Sequence, residues 1–187
     1  MTVIGLLRGI NVGGHHKVGM SALRALCESL GLSDVQTHLQ SGNLVFRTPK
    51  RDLPRLRQLL EEAIEKEFGF HCDVVLRTTA ELKEAAAINP FAARPDLDPS
   101  KLAVHFLAGT PSAEALAHTL AIQCDPEELC IHGREMFIYY PNGMARPKLS
   151  MPLVERTLKI SGTSRNWNTV RKLLEMAEKM ERPISNT

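Results

Sequence analysis

Residues Thr2–Arg47, TVIGLLRGINVGGHHKVGMSALRALCESLGLSDVQTHLQSGNLVFR, contain a complete strand, helix, strand and strand pattern. Thr2–Leu7 is a short run rich in Val, Ile and Leu that stops at Arg8-Gly9, which predicts a buried strand. After a glycine-containing loop, apolar residues recur at helical spacing from Met20 onward. Gly31 then stands where the glycine that ends a helix is expected, so this segment predicts a first helix.

The hairpin that follows completes the first half of a repeated pattern. Ser41-Gly42 lies between two apolar segments and supplies the positive φ of a tight turn. Asp52 is a helix-capping residue type and Gly69 a helix-ending one, so a second helix is expected between them. The elements predicted after the first helix are Val35–Leu39, Leu44–Arg47, the helix from Asp52 to Gly69, and a fourth strand at Cys72–Arg77.

The same order of elements restarts in the second half of the chain. A capping box, Thr78-x-x-Glu81, predicts a connecting helix that runs to Asn89-Pro90. The proline-containing segment Asp96–Ser100 predicts a domain boundary, giving units at 1–98 and 99–187. In the second unit, strands are predicted at Leu102–Leu107, Leu129–His132, Met136–Tyr140 and Ile160–Arg165, and helices begin near Ser112, Ser150 and Trp167.

This pattern predicts an α+β fold of two ferredoxin-like βαββαβ units, each an antiparallel sheet with helices on one face. The second unit is the more decorated.

Composition excludes several classes of protein. The apolar fraction is 43% and the charged fraction 24%, values typical of globular chains. Net charge is only +2, so any binding of nucleic acid must come from a local patch. The four cysteines lack paired zinc-type spacing, and no apolar run reaches the ~20 residues of a membrane helix. We therefore expect a cytoplasmic protein with reduced thiols, no metal and no membrane association.

Two polar segments are expected to meet at one end of the first sheet. Strands one and two of a βαββαβ unit run parallel, so the loop after strand one and the hairpin tip after strand two share that end. Glycines allow a ligand close to backbone N–H groups, and a helix start favours anions. The candidate ligand-binding residues are Arg8, Asn11, Gly13, Gly14, Lys17, Gln40, Ser41 and Asn43, with Lys148, Arg165 and Asn166 as a second tier.

The loop matches no established nucleotide motif. Gly9-x-x-x-Gly13-Gly14 is not a Walker A loop, and no G-x-G-x-x-G follows the strand. The structural alternative is that the glycines turn the chain and Asn11 and Asn43 satisfy loop backbone groups. No catalytic base stands out beyond His15 and His16, and the cofactor and the reaction stay undefined.

The chain resembles the bacterial domain of unknown function 1697 family (DUF1697) in several strings. They are LLRGINVGG (Leu6–Gly14), QSGN (Gln40–Asn43), NPF (Asn89–Phe91), YPNG (Tyr140–Gly143) and RNWNT (Arg165–Thr169). The resemblance covers nearly the whole chain and implies two decorated ferredoxin-like units, with no established activity. One departure is Pro147, because relatives have Ser or Thr before Lys148-Leu149. The polar, variable character of the His15-His16 stretch in the family counts against a shared metal site.

Two other functions compete with the ligand site. Met144–Lys172 holds seven basic residues and the single acid Glu155, and Tyr139, Tyr140 and Trp167 lie nearby. This segment suits a phosphate backbone with base stacking, or else forms a solvated face with Trp167 in the core. The third hypothesis is a non-enzymatic protein-interaction module. Oligomeric state is not encoded in these patterns.

Overall fold

The computed structural model describes residues 1–182 and divides the chain into two compact units. The first unit combines Met1–Lys83 with residues 172–182, and the second is Glu84–Arg171. The sequence predicts a domain boundary between residues 98 and 99, from the prolines of that segment. The two compact units instead meet within the connecting helix, between Lys83 and Glu84, and within the last helix, between Arg171 and Lys172. The boundary between 98 and 99 stays a prediction.

The first unit contains a four-stranded antiparallel sheet with helices packed on it. The sheet order is β2-β3-β1-β4, so β1 lies between β3 and β4. The elements are β1 Thr2–Leu7, α1 Met20–Ser29, β2 Ser33–His38, β3 Asn43–Arg47, α2 Leu53–Phe68 and β4 Val74–Thr78. The helix α3 Thr79–Ala87 begins in this unit and belongs to the second unit from Glu84.

The register of the first sheet brings the end of β1 to the hairpin tip. β1 and β2 both pair antiparallel with β3, so they run parallel to each other. Leu6 at the end of β1 is opposite Asn43 at the start of β3. The backbone N–H of Leu7 also donates to the Gly42 carbonyl at 2.8 Å. The predicted meeting of the first loop and the first hairpin therefore occurs.

Amphipathic helices close the core of the first unit. Leu23 and Cys27 of α1 and Leu56, Leu60 and Ile64 of α2 are fully buried. They pack with alternate residues of the sheet, including Val3, Leu7, Leu44 and Phe46. The Asp52 carboxylate accepts from the Arg55 N–H at 3.0 Å, and Gly69 ends α2 at φ 77°, as the sequence predicts.

The second unit repeats the topology with the sheet order β6-β7-β5-β8. Its core includes Ala103, Leu107, Met136 and Ile138 of the sheet and Val154 of a covering helix. The elements are a 3-10 turn Pro99–Lys101, β5 Leu102–Leu107, α4 Ala113–Leu120, β6 Glu128–His132, β7 Glu135–Tyr139, α5 Met151–Leu158 and β8 Gly162–Asn166. The last helix, α6 Trp167–Glu181, begins in this unit and belongs to the first unit from Lys172. The predicted α+β fold of two βαββαβ-type units is thus confirmed.

Several element ends differ from the predictions for local reasons. Leu39, predicted in a strand, lies at φ 58° in the turn after β2. α3 ends at Ala87 rather than at Asn89, whose side chain instead accepts from the Phe91 N–H at 3.0 Å. β8 begins at Gly162 because Lys159 takes a left-handed conformation, φ 56°, at the end of α5. Turn conformations determine where these helices and strands begin and end, and hydrophobic periodicity does not predict turn conformations.

Candidate functional site

Asn11 fastens the loop after β1 to the hairpin tip. Its side-chain amide donates to the Gln40 carbonyl at 2.7 Å and to the Val18 carbonyl at 3.0 Å. Its Oδ1 atom accepts from the Val18 N–H at 2.9 Å. Asn11 is left-handed, φ 55°, which asparagine tolerates better than most residues. The Asn11 side chain therefore holds the loop against the hairpin tip. Most of its hydrogen-bonding capacity is used by these protein contacts.

Gly42 allows the hairpin tip to lie directly on the strand end. It has φ 73°, and a Cβ atom there would lie 2.6 Å from Leu7 Cβ and 2.9 Å from Ile10 Cδ1. Real Cβ atoms essentially never approach other atoms so closely, so position 42 requires glycine both for its backbone and for space.

A surface cavity of about 360 Å³ lies where the loop, the hairpin tip and the start of α1 converge. Its lining residues are Asn11, Gly14, Lys17, Val18, Gly19 and Gln40. Four of these were predicted as site residues from the sequence, and Val18 and Gly19 were not. The missed signal was their position immediately before the first helical residue, because the last loop residues before a helix necessarily border its N-terminus.

The N-terminus of α1 has no side-chain cap. Gly19 occupies the N-cap position, where it offers no side-chain acceptor, and the first turn contains no acidic residue. The backbone N–H groups of a first helical turn lack partners within the helix, and the helix dipole adds positive potential there. Lys17 is exposed beside this end and lines the cavity. The lining is thus suited to an anionic group.

Arg8 belongs to a charged network at the start of β4. Its guanidinium lies 3.7 Å from the Asp73 carboxylate, and both side chains are about 40% exposed. His71 contacts Asp73 at 3.2 Å and Glu65 at 3.4 Å, and hydrogen bonds to these two carboxylates, Asp73 first, raise the pKa of His71. Arg8 is close in sequence to the residues that line the cavity but is not one of them. Its guanidinium instead lies beside Asp73, just before β4.

Ser41 and Asn43 hold the hairpin rather than line the cavity. Asn43 is fully buried, and its amide donates to the His38 carbonyl and to the Ser41 hydroxyl, each at 2.9 Å. The expectation that Asn43 orients a ligand is therefore corrected, because its side chain has no access to solvent. Asn43 is the first residue of β3, and pairing with Leu6 on the central strand explains its burial.

The adjacent histidines have different surroundings. His16 stacks on Phe70, with ring centroids 4.3 Å apart, and its Nδ1 atom lies 3.4 Å from the Gly9 carbonyl. The His15 N–H donates to the Val12 carbonyl at 3.0 Å, which closes the loop on itself. Within residues 1–182 no group of three metal-ligating side chains is assembled. These contacts assign His16 a packing role within the loop.

The three second-tier residues belong to the second unit. Arg165 is buried on β8, where it donates to the Thr163 hydroxyl at 2.7 Å and to the Ser164 carbonyl at 2.9 Å. The Asn166 side chain donates to the Ser100 carbonyl and accepts from the Asn168 N–H at the start of α6. Lys148 is exposed, and its backbone N–H donates to the Glu127 carboxylate at 3.2 Å. All three have structural contacts.

The basic segment of the second unit offers little aromatic surface for base stacking. Tyr139 and Tyr140 are 7% and 5% exposed. Burial, with the nearby Glu127 carboxylate as the smaller cause, raises the pKa of Tyr140 to about 12. Arg165 is buried as well, so the hypothesis of nucleic-acid binding retains the exposed cations of the segment and the partly exposed ring of Trp167. It stays a prediction.

Comparisons with known proteins agree with this architecture. The family profile described as "Protein of unknown function (DUF1697)" matches residues 1–137. The structure of the conserved bacterial protein SP0830 from Streptococcus pneumoniae is similar, with a TM-score of 0.73 at 24% sequence identity. The match covers 95% of this chain and 98% of that chain, so the two share a fold. Comparison with the curated proteins finds no match.

Among residues 1–182, none of the helices combines the length and the apolar character that crossing a membrane requires.

Proposed function

The chain belongs to the DUF1697 family of proteins of unknown function, and on that premise we propose that its first unit binds a small anionic or nucleotide-like molecule. The proposed site is the cavity bounded by the β1–α1 loop, the hairpin tip and the N-terminus of α1. The observation that carries the proposal is the coincidence of three features: an open surface cavity, an uncapped helix start and a lysine, all at one end of the sheet.

Each lining group has a specific task in this proposal. The anionic group of the ligand accepts hydrogen bonds from the first backbone N–H groups of α1, which have no side-chain acceptor. Lys17 supplies the counter-charge. Gly14, at φ 81°, lets the ligand approach the loop backbone without a side chain in the way. The Gln40 side chain, exposed at the hairpin tip, orients the neutral part of the molecule.

The cavity volume indicates how much of a ligand this surface can hold. About 360 Å³ lies near the lower end of the range for small-molecule sites. That volume suits one phosphate or carboxylate group with a compact attached moiety. A long polymer would contact the cavity only through one unit at a time. We therefore favour a free metabolite of this chemistry over nucleic acid.

The proposed compartment rests on the cysteines. Among residues 1–182, Cys27, Cys72, Cys124 and Cys130 form no disulfide. Thiols outside disulfides are typical of proteins in the reducing cytoplasm. We place the proposed binding there.

The direct test is mass spectrometry of molecules released from the purified protein, followed by thermal-shift measurements. Inorganic phosphate and nucleoside monophosphates are the first probes. A ligand at about a hundred times its dissociation constant stabilises the folded chain by about 2.7 kcal/mol. For a chain of this size, that is a rise in melting temperature of roughly 5 to 10 °C.

Lys17→Ala should abolish this rise, whereas Lys66→Ala should keep it. Lys66 is an exposed lysine in the last turn of α2, so it controls for the loss of one positive charge in the same unit. Arg8→Ala should have a smaller effect than Lys17→Ala, because Arg8 is paired with Asp73. Equal shifts for the Lys17 and Lys66 variants, or no shift with any anion, would contradict the proposed site.

A further inference from the structure

A buried histidine and an exposed serine form a hydrogen-bonded pair in the second unit. His105 on β5 is opposite Ser164 on β8, so both side chains project from the same face of the sheet. The Nδ1 atom of His105 lies 2.9 Å from the Ser164 hydroxyl oxygen. Only 3% of the His105 side chain is exposed, whereas Ser164 is exposed on the edge strand. Ser164 is thus an exposed residue, while its hydrogen-bond partner is buried.

A carboxylate faces the other nitrogen of the same ring. Glu155 on α5 places Oε1 3.4 Å from His105 Nε2, and the Glu155 side chain is only 16% exposed. This separation allows charge attraction without hydrogen-bond geometry, and Nε2 has no hydrogen-bond partner among residues 1–182. The carboxylate favours the tautomer with its proton on Nε2. Nδ1 is then the acceptor of the Ser164 O–H.

The backbone at Gly162 fixes the orientation of the imidazole. A Cβ atom at position 162 would lie 2.4 Å from His105 Nε2 and 2.6 Å from the Phe106 carbonyl oxygen. The Gly162 N–H also donates to Glu155 Oε1 at 3.1 Å. Glycine therefore admits the ring, and its amide holds the carboxylate beside that ring.

We propose that Ser164 is a nucleophile activated by His105, with Glu155 as the positioning residue, and that it takes small acyl esters. A nucleophile within hydrogen-bond distance of a base, and a third group that orients the base, is the arrangement that activates hydroxyl nucleophiles. Here Nδ1 faces the serine and Nε2 faces the carboxylate. The exposed position of Ser164 on an edge strand suits compact acyl groups that reach it from solvent.

The reaction is an acyl transfer to the serine followed by hydrolysis. The Ser164 oxygen forms a bond to the carbonyl carbon of the ester while His105 Nδ1 takes the hydroxyl proton. The bond from that carbon to the alcohol oxygen breaks, and the alcohol leaves with the proton from His105. Water then attacks the acyl-serine with the same base, which releases the carboxylic acid and restores the Ser164 hydroxyl.

The test uses the full chain, a fluorophosphonate probe and p-nitrophenyl acetate. Tandem mass spectrometry should find one adduct at Ser164, and Ser164→Ala should remove it. His105→Asn should slow both labelling and ester turnover about a hundredfold or more, the usual contribution of a general base. Glu155→Gln retains an acceptor for the Gly162 N–H, so the local backbone should stay in place. Because the variant removes the negative charge beside His105 Nε2, it should lower kcat and leave KM unchanged. Ser33→Ala removes an exposed serine on β2 and should label like the natural chain.

Labelling of Ser164 no faster than labelling of Ser33 would overturn the proposal. An unchanged labelling rate in a folded His105→Asn protein would do the same. Because His105 is buried, its variants require a melting curve. If His105→Asn does not fold, the proposal is still tested by the adduct site in the natural chain and by the kcat of Glu155→Gln. An unchanged kcat in Glu155→Gln would contradict the proposed role of Glu155.

Discussion

Gly31 and Gly42 have similar left-handed backbones but different surroundings. Their φ angles are 81° and 73°. No atom lies within 4 Å of the position that a Cβ would take at Gly31, whereas at Gly42 that position is 2.6 Å from Leu7 Cβ. The pair therefore separates the cost of backbone strain from the cost of steric overlap.

Gly31→Ala should lower the free energy of unfolding by about 1–2 kcal/mol through backbone strain alone. Gly42→Ala should cost a further 1–3 kcal/mol, roughly, because the added methyl group forces Leu7 or Ile10 to move. Urea denaturation of both variants measures the difference. Equal losses would mean that the hairpin tip does not press on the end of β1.

At the scale of elements, Asn11 joins the β1–α1 loop to the hairpin tip. Asn11→Asp keeps the acceptor for the Val18 N–H and the tolerance for a left-handed backbone. It replaces both amide donations, to Val18 and Gln40, with a carboxylate facing two carbonyl oxygens. We expect a loss of about 1–3 kcal/mol.

Hydrogen exchange locates this effect on the joined segments. Amides of residues 8–19 and 38–43 should exchange faster in Asn11→Asp, while those of α2 should not change. Asn142→Asp, at an exposed position in the second unit, is the matched control. Faster exchange throughout the first unit would show a general loss of stability and not a local separation of the β1–α1 loop from the hairpin tip.

Local patterns predicted the elements well because each pattern reports burial over a few residues. Apolar spacing located the helices from Met20 and Asp52, and Ser41-Gly42 located the hairpin. The same patterns could not assign Asn43. A polar residue beside a turn is typical of a loop, yet pairing with the central strand buries it.

The residues that line the cavity were predicted in part for a similar reason. Sheet topology alone indicated that the loop and the hairpin tip meet, and Asn11, Gly14, Lys17 and Gln40 do line one cavity. The ion pair of Arg8 depends on Asp73, which the pairing of β1 with β4 brings close. No short-range pattern encodes that partner. Contacts between residues distant in sequence decided which predicted side chains face the cavity.

At the scale of the whole molecule, the last helix belongs to the first unit from Lys172 onward. Leu173, Ala177 and Met180 are buried there. The Arg47 guanidinium donates to the Met180 carbonyl, and Lys83 pairs with Glu178 at 3.4 Å. A fragment of residues 1–98 contains the first sheet but none of these helix residues.

That fragment should melt at least about 10 °C below the full chain, or without a cooperative transition. Loss of a single buried leucine side chain costs roughly 2–5 kcal/mol, and each kcal/mol lowers the melting temperature of a domain this small by about 4–8 °C. Circular dichroism of the fragment and the full chain provides the comparison. A fragment as stable as the full chain would favour the boundary between 98 and 99.

The two sheets secure their first strands by matching contacts. The N–H of Leu7 donates to Gly42 at the first hairpin, and the N–H of Leu107 donates to Arg134 at the second. The next residues, Arg8 and Ala108, donate to Asp73 and Ser161. Yet the connection that follows has twelve residues in the first unit, Arg8–Gly19, and five in the second, Ala108–Ser112.

The hydrogen bonds that hold the strand ends are therefore independent of the length of the connection that follows. The strand ends are tied by main-chain groups that any sequence supplies, so the intervening segment can lengthen or shorten without loosening the scaffold. The first unit has a twelve-residue loop that borders the cavity, and the second has a five-residue link. That asymmetry leaves the shorter connection as a natural insertion point for grafting a new recognition loop onto an intact sheet.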